Sequence, residues 1–223
     1  MRLNDRLSRR RILVTGEDRE LSERLGALFA QCGAILEVES SDSEDGTRIA
    51  RSAARRLGGL DVLVNTGLSA VPEEGPQSRA ARKEVERVLE RSMSLLVTTT
   101  EAALPAMQPG ASIINSVVFS AQGVVLTRGQ EALATAVLET TQGWAQALAP
   151  RGFRVNAVVG GPRWDPDLEF PTDHGRLPQP LTDETELDAF VYLASEESCR
   201  VSGSVLAVAR GLTRAELELA GDL

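Results

Sequence analysis

Short, largely apolar runs recur along this chain, and helical stretches separate them. The runs are RILVTG (11–16), AILEVE (34–39), LDVLVN (60–65), SIINSVVF (112–119), FRVNAVV (153–159) and VLAVA (205–209). Between the first two, Leu21, Leu25, Leu28 and Phe29 recur at helical spacing. Residues 47–57 read as a helix stopped by Gly58 and Gly59. Residues 78–107 read as a long helical stretch with Val85, Val88, Leu89, Leu95 and Leu96 on one side. Residues 130–149, ended by Pro150 and Gly152, and 183–195 supply two more helices. A strand without a polar face has to be covered on both sides, and helices alternating with strands supply the cover. The pattern predicts a doubly wound parallel α/β sheet.

At 223 residues, 42% hydrophobic and 25% charged, the chain reads as one globular domain over residues 1–223. The net charge of −8 argues against a nucleic-acid-binding face. No apolar run approaches the roughly 20 residues that span a bilayer. The basic start MRLNDRLSRRR leads into a strand too short for a signal-peptide core. Cys32 and Cys199 form no disulfide framework or zinc pattern, which suits the cytoplasm. The chain has one tyrosine, Tyr192, one histidine, His174, and one lysine, Lys83.

Three segments carry a family resemblance. LAPRGFRVNAVVGGP (148–162), LASEESCRVSGSVLAVARGLT (193–213) and LDVLVNTG (60–67) resemble segments of the short-chain dehydrogenase/reductase family. The resemblance covers nearly the whole chain and implies a Rossmann-like sheet. Between Gly33 and Asp61 there is room for only one strand and one helix, so six strands are expected instead of seven, with one strand–helix unit deleted. The stretch 35–61 then matches the family's later unit in length, and Glu39 and Asp42 fall on the two acidic positions that end its third strand.

At the site the sequence departs from the family. The glycine-rich phosphate turn reads Thr15-Gly16-Glu17-Asp18-Arg19-Glu20-Leu21-Ser22. Gly16 remains, whereas Glu20 and Ser22 replace the other two glycines that let a backbone approach a pyrophosphate. Glu17, Asp18 and Glu20 add negative charge, worth about 1 kcal/mol of repulsion per close charge even in water. Asn65 and Gly67 keep part of the strand end that the family uses beside its cofactor. Aligning Gly129-Gln130 puts Leu133 and Val137 at the family's catalytic tyrosine and lysine, and Ser92 at its asparagine. Val118 falls at the catalytic serine, a place Ser116 or Ser120 can take after a small shift. Asp165 replaces the threonine that holds the carboxamide.

Other chemistry finds little support. His174 with Asp165 and Asp173 lacks a nucleophile elbow, and Asp165, Asp167, Glu169 and Asp173 do not follow a calcium-loop spacing, so no metal site is expected. These departures predict a catalytically silent subunit that binds no cofactor itself. It would scaffold an active paralogue, which binds NAD, in a heterotetrameric hydroxyacyl-CoA or alcohol dehydrogenase. Two alternatives are a lyase, isomerase or hydrolase in the vestigial cleft, and a homo-oligomeric metabolite-binding protein. Neither nucleic acid nor membrane is expected as a partner.

Overall fold

The computed structural model describes residues 5–40, 45–66, 79–118, 128–160 and 184–208. Its strands are β1 (Arg11–Gly16), β2 (Ile35–Ser40), β3 (Leu60–Thr66), β4 (Met107–Val118), β5 (Arg154–Gly160) and β6 (Val205–Val208). They form one parallel six-stranded sheet in the order β2-β1-β3-β4-β5-β6. Its helices are α1 (Arg19–Gln31), α2 (Gly46–Leu57), α3 (Arg79–Ala103), α4 (Arg128–Leu148) and α5 (Glu184–Ala194). The Rossmann-like α/β fold and the shortened sheet agree with the sequence.

Strand periodicity sorts the core into two layers. Ile12, Val14, Val62, Val64 and Ile114 face α1 and α5, where Phe29, Leu25, Phe190 and Val191 cover them. Leu13, Leu63, Ile113 and Val155 face the other way, against Ile49, Ala50 and Ala53 of α2, Leu95 of α3 and Ala145 of α4. Fully burying each large side chain contributes roughly 1.5–3 kcal/mol.

The largest departure from the sequence-read boundaries lies between α3 and β4. The helix expected through residue 107 ends at Ala103, and β4 begins at Met107 rather than at 112. Pro105 has no N–H to continue the helix, so the chain leaves through one 3₁₀ turn, Leu104–Ala106. Met107 pairs with Leu60, and the register then shifts before Val62 meets Ser112. That irregularity absorbs Pro109 and Gly110, whose φ is +93°.

At the opposite end of the sheet from the strand C-termini, Arg11 clamps β1 to β3. Its Nε and backbone N–H donate to Asp61 Oδ2 at 2.9 Å each, and Nη2 donates to Oδ1 at 2.7 Å. The guanidinium holds the Asp61 carboxyl below the usual carboxylate range. A depressed carboxylate stabilises the fold above its unfolded-state pKa and loses that contribution as pH falls through the folded value. Asp61→Asn is therefore expected to cost about 1–2 kcal/mol at pH 7. The difference from wild type should shrink as pH falls below the ordinary carboxylate range in urea titrations across pH.

Candidate functional site

In an open parallel sheet, ligands bind outside the strand C-termini where the strand order reverses. Here the order reverses between β1, whose next strand in sequence lies on one side, and β3, on the other. A small cavity of about 20 Å³, space for about one water molecule, lies at that point. Thr15 and Gly16 of β1, Asn65 and Thr66 of β3 and Ser116 of β4 line it, together with Glu17 and, from α3, Ser92, Leu95, Leu96 and Thr99.

Below the cavity runs a buried polar chain. Asn65 and Asn115 are register partners on β3 and β4. Asn65 Nδ2 donates to Asn115 Oδ1 at 2.9 Å and to Thr100 Oγ1 at 3.2 Å. Asn115 Nδ2 donates to Thr141 Oγ1 at 2.9 Å, and Thr141 in turn donates to the Val137 carbonyl at 2.8 Å. These bonds tie α3 and α4 to the strand ends and satisfy groups that burial would otherwise penalise. By contrast, the hydroxyls of Thr15, Thr99 and Ser116 are buried and find no hydrogen-bond partner among the described residues.

The turn after β1 does not place its acids as the sequence suggests. Asp18 caps α1 by accepting from the Leu21 N–H at 2.9 Å, while burial pushes its carboxyl pKa up. Glu20 is exposed on the first turn of α1. Glu17 turns inward. Its Oε2 accepts from Ser92 Oγ at 2.5 Å and its Oε1 lies 3.1 Å from Arg91 Nε, so its charge is compensated. The expected stack of three negative charges over the turn is corrected accordingly.

Ser22, at a lost glycine, is fully buried, with its Oγ within 2.7 Å of both the Asp18 carbonyl and Thr66 Oγ1. Gly16 keeps a packing role: a Cβ there would sit 2.0 Å from the Thr66 carbonyl oxygen.

The positions expected to replace the catalytic pair are apolar core. Leu133 is 2% exposed and Val137 fully buried, in a cluster with Leu96, Val117, Ala134 and Val159. That plug also counts against a lyase, isomerase or hydrolase site built there. Ser92 does reach the cleft. Val118 ends β4, and its side chain lies outside the described residues, as do Gly67, Ser120, Asp42, Asp165, Asp167, Glu169, Asp173 and His174. Glu39 is engaged by Arg56 at 2.6 Å on the exposed rim of β2. Tyr192 packs on α5 against the α1-side core, and Lys83 is exposed on α3. Among the described residues no cluster suits a metal, and no helix is long and apolar enough to cross a membrane.

Sequence reasoning missed Arg91 and the pairing of Glu17 with Ser92. Seventy-five positions separate the latter two, and no local pattern links them.

Residues 10–213 match the family described as enoyl-(acyl carrier protein) reductase. The chain is 31% identical to trans-4-hydroxycyclohexanecarboxylate dehydrogenase of Sinomonas cyclohexanicum over 90% of its own length and 81% of the relative's. It is 28% identical to the uncharacterized oxidoreductase YhdF of Bacillus subtilis (strain 168), covering 89% and 82%. The crystal structure of a short-chain dehydrogenase/reductase, glucose/ribitol dehydrogenase, from Brucella melitensis superposes with a TM-score of 0.71 at 21% identity, covering 92% of this chain and 97% of that one. Relatives named as dehydrogenases and oxidoreductases along almost the full length overturn the expectation of a silent scaffolding subunit. The chain belongs to the short-chain dehydrogenase/reductase family.

Proposed function

We propose that this chain is a nicotinamide-dependent oxidoreductase of the cytoplasm, interconverting a carbonyl and an alcohol on a small substrate at the ends of β1, β3 and β4. The observation that carries the reading is the Ser116 hydroxyl, buried in the switch-point cleft beside those of Thr15 and Thr99 and without a partner among the described residues. Buried hydroxyls without partners are costly, and polar groups of a ligand would satisfy them. This lining fits the nicotinamide end of the family's cofactor. The cavity, with space for about one water molecule, has to open before the ring enters. The reading sets aside the expectation that the chain binds no cofactor, and the dehydrogenase and oxidoreductase relatives support it.

When bound, the nicotinamide exchanges a hydride with the substrate carbon. Ser116 Oγ donates a hydrogen bond to the substrate oxygen and stabilises the charge that develops there. The Asn65–Asn115 bond fixes the two strand ends that frame it. Leu95 and Leu96 of α3 supply the apolar part of the lining. No tyrosine or lysine stands at the family's positions, so the substrate oxygen takes its proton from water at the mouth of the cleft.

The test is NADH and NADPH oxidation against a panel of cyclic and linear ketones, some bearing a carboxylate. Ser116→Ala is expected to lower kcat about a hundredfold while leaving Tm unchanged or slightly raised, because it removes an unsatisfied buried hydroxyl. A fall in Tm with no kinetic effect would assign the serine to structure alone. Absence of any oxidation across the panel would overturn the reading.

A further inference from the structure

The carboxylate of Glu17 is held as a ligand is held. Its side chain is only 9% exposed, although it follows the last residue of β1 at the mouth of the cleft. One oxygen forms an ion pair with Arg91, 3.1 Å from Nε but outside hydrogen-bond geometry, and the other accepts a hydrogen bond from the Ser92 hydroxyl at 2.5 Å. Ser92 is itself buried, 2% exposed, whereas the Arg91 side chain is 35% exposed, at the edge of the cleft. A guanidinium and a hydroxyl converging on two oxygens of one anion is also the arrangement that binds a phosphate. Meanwhile the glycine backbone that would otherwise receive a phosphate is gone, and Asp18 occupies the α1 N-terminus.

We propose that Arg91 and Ser92 form the phosphate-binding pair of this cleft and that the Glu17 carboxylate is their internal stand-in, displaced when a nicotinamide nucleotide enters. This rests on the cofactor reading above. The exchange swaps one anion for another on the same two partners. Arg91 keeps a counter-charge throughout, and the cavity opens only with ligand bound. Glu17 thereby sets affinity: its charge competes with the incoming phosphate for the same guanidinium and repels it from close range.

The experiment is calorimetric titration of wild type, Glu17→Gln, Arg91→Gln and the double variant. The probes are nicotinamide mononucleotide, which carries one phosphate, and nicotinamide riboside, which carries none. Glu17→Gln preserves shape and removes the charge, and is expected to tighten mononucleotide binding about tenfold without changing riboside binding. Arg91→Gln should abolish that gain in the double variant. Thermal melts check that each variant folds. An unchanged mononucleotide affinity in Glu17→Gln, a gain shared by the riboside, or a gain that survives Arg91→Gln would each overturn the proposal. If wild type binds the mononucleotide and Glu17→Gln binds it no better, the stand-in fails while the cofactor reading survives. If no protein binds either probe at millimolar concentration, both fail.

Discussion

Gly16→Ala is expected to cost at least about 3 kcal/mol, enough to leave much of the protein unfolded at ordinary temperature. Gly16 closes β1 with φ +148°, and a Cβ added there would lie 2.0 Å from the Thr66 carbonyl oxygen and 2.5 Å from Thr66 Oγ1. Neither neighbour can retreat cheaply. The carbonyl belongs to β3, paired to β1 through Thr66 and Gly16 themselves, and the hydroxyl is bonded to Ser22. Relieving the clash would pull β1 away from β3 and break the contact that seats α1. Gly58→Ala is the control. Gly58 has φ +70° with nothing within 4 Å of its added Cβ, so only backbone strain of about 1 kcal/mol is expected. Urea unfolding of both variants gives the comparison. Equal losses would mean that the close approach of β1 and β3 is not what Gly16 serves.

Val137→Lys, alone or with Leu133→Tyr, is expected to destabilise the fold by several kcal/mol instead of installing the family's proton relay. Val137 is fully buried among Leu96, Val117, Leu133, Ala134 and Val159, and its carbonyl already accepts from Thr141. A lysine there enters a hydrocarbon pocket, and burial of this kind depresses a lysine pKa by as much as about 5 units. The sign follows from linkage. The unfolded chain holds the proton at pH values where the folded chain has released it, so the penalty grows as pH falls below about 10 and levels off below the folded pKa. The variant should therefore be closest to wild type near pH 10 and poorest near pH 6 in denaturant melts. A uniform, small penalty across that range would show that the lysine reaches water and that the plug is looser than its burial indicates.

Both predictions concern positions where the sequence already departs from or keeps the family's pattern, yet the reasons for them differ. The absence of a tyrosine–lysine pair is a matter of residue count and needs no structure. What fills the vacated positions is not. Leu133 and Val137 are read from sequence as substitutions, and only the packing shows that they are core. Ser22 and Glu20 look alike in the sequence, as two lost glycines, but one is sealed under Thr66 and the other faces solvent. The reading of Glu17, Asp18 and Glu20 as three like charges over one turn failed because each finds a different environment: a guanidinium, a helix N-terminus and water. The inference of a silent subunit failed for a different reason. It took loss of one catalytic device as loss of all chemistry, whereas relatives matched over 89% and 90% of the chain are named an oxidoreductase and a dehydrogenase.

The sequence by itself determined the alternation of strands and helices, the parallel sheet shortened to six strands, and the family. The alternation follows from hydrophobic periodicity and the strand number from the spacing between Gly33 and Asp61, which are local and countable, whereas the family follows from the resemblance of residues 60–67, 148–162 and 193–213. Tertiary structure alone decided the content of the cleft. It brought Glu17 to Ser92 and Arg91, set Asn65 against Asn115 and Thr141, and gathered the buried hydroxyls of Thr15, Thr99 and Ser116 at one point. Such contacts join residues distant in the chain through strand register and helix packing, and a one-dimensional pattern does not encode which polar groups end up facing one another.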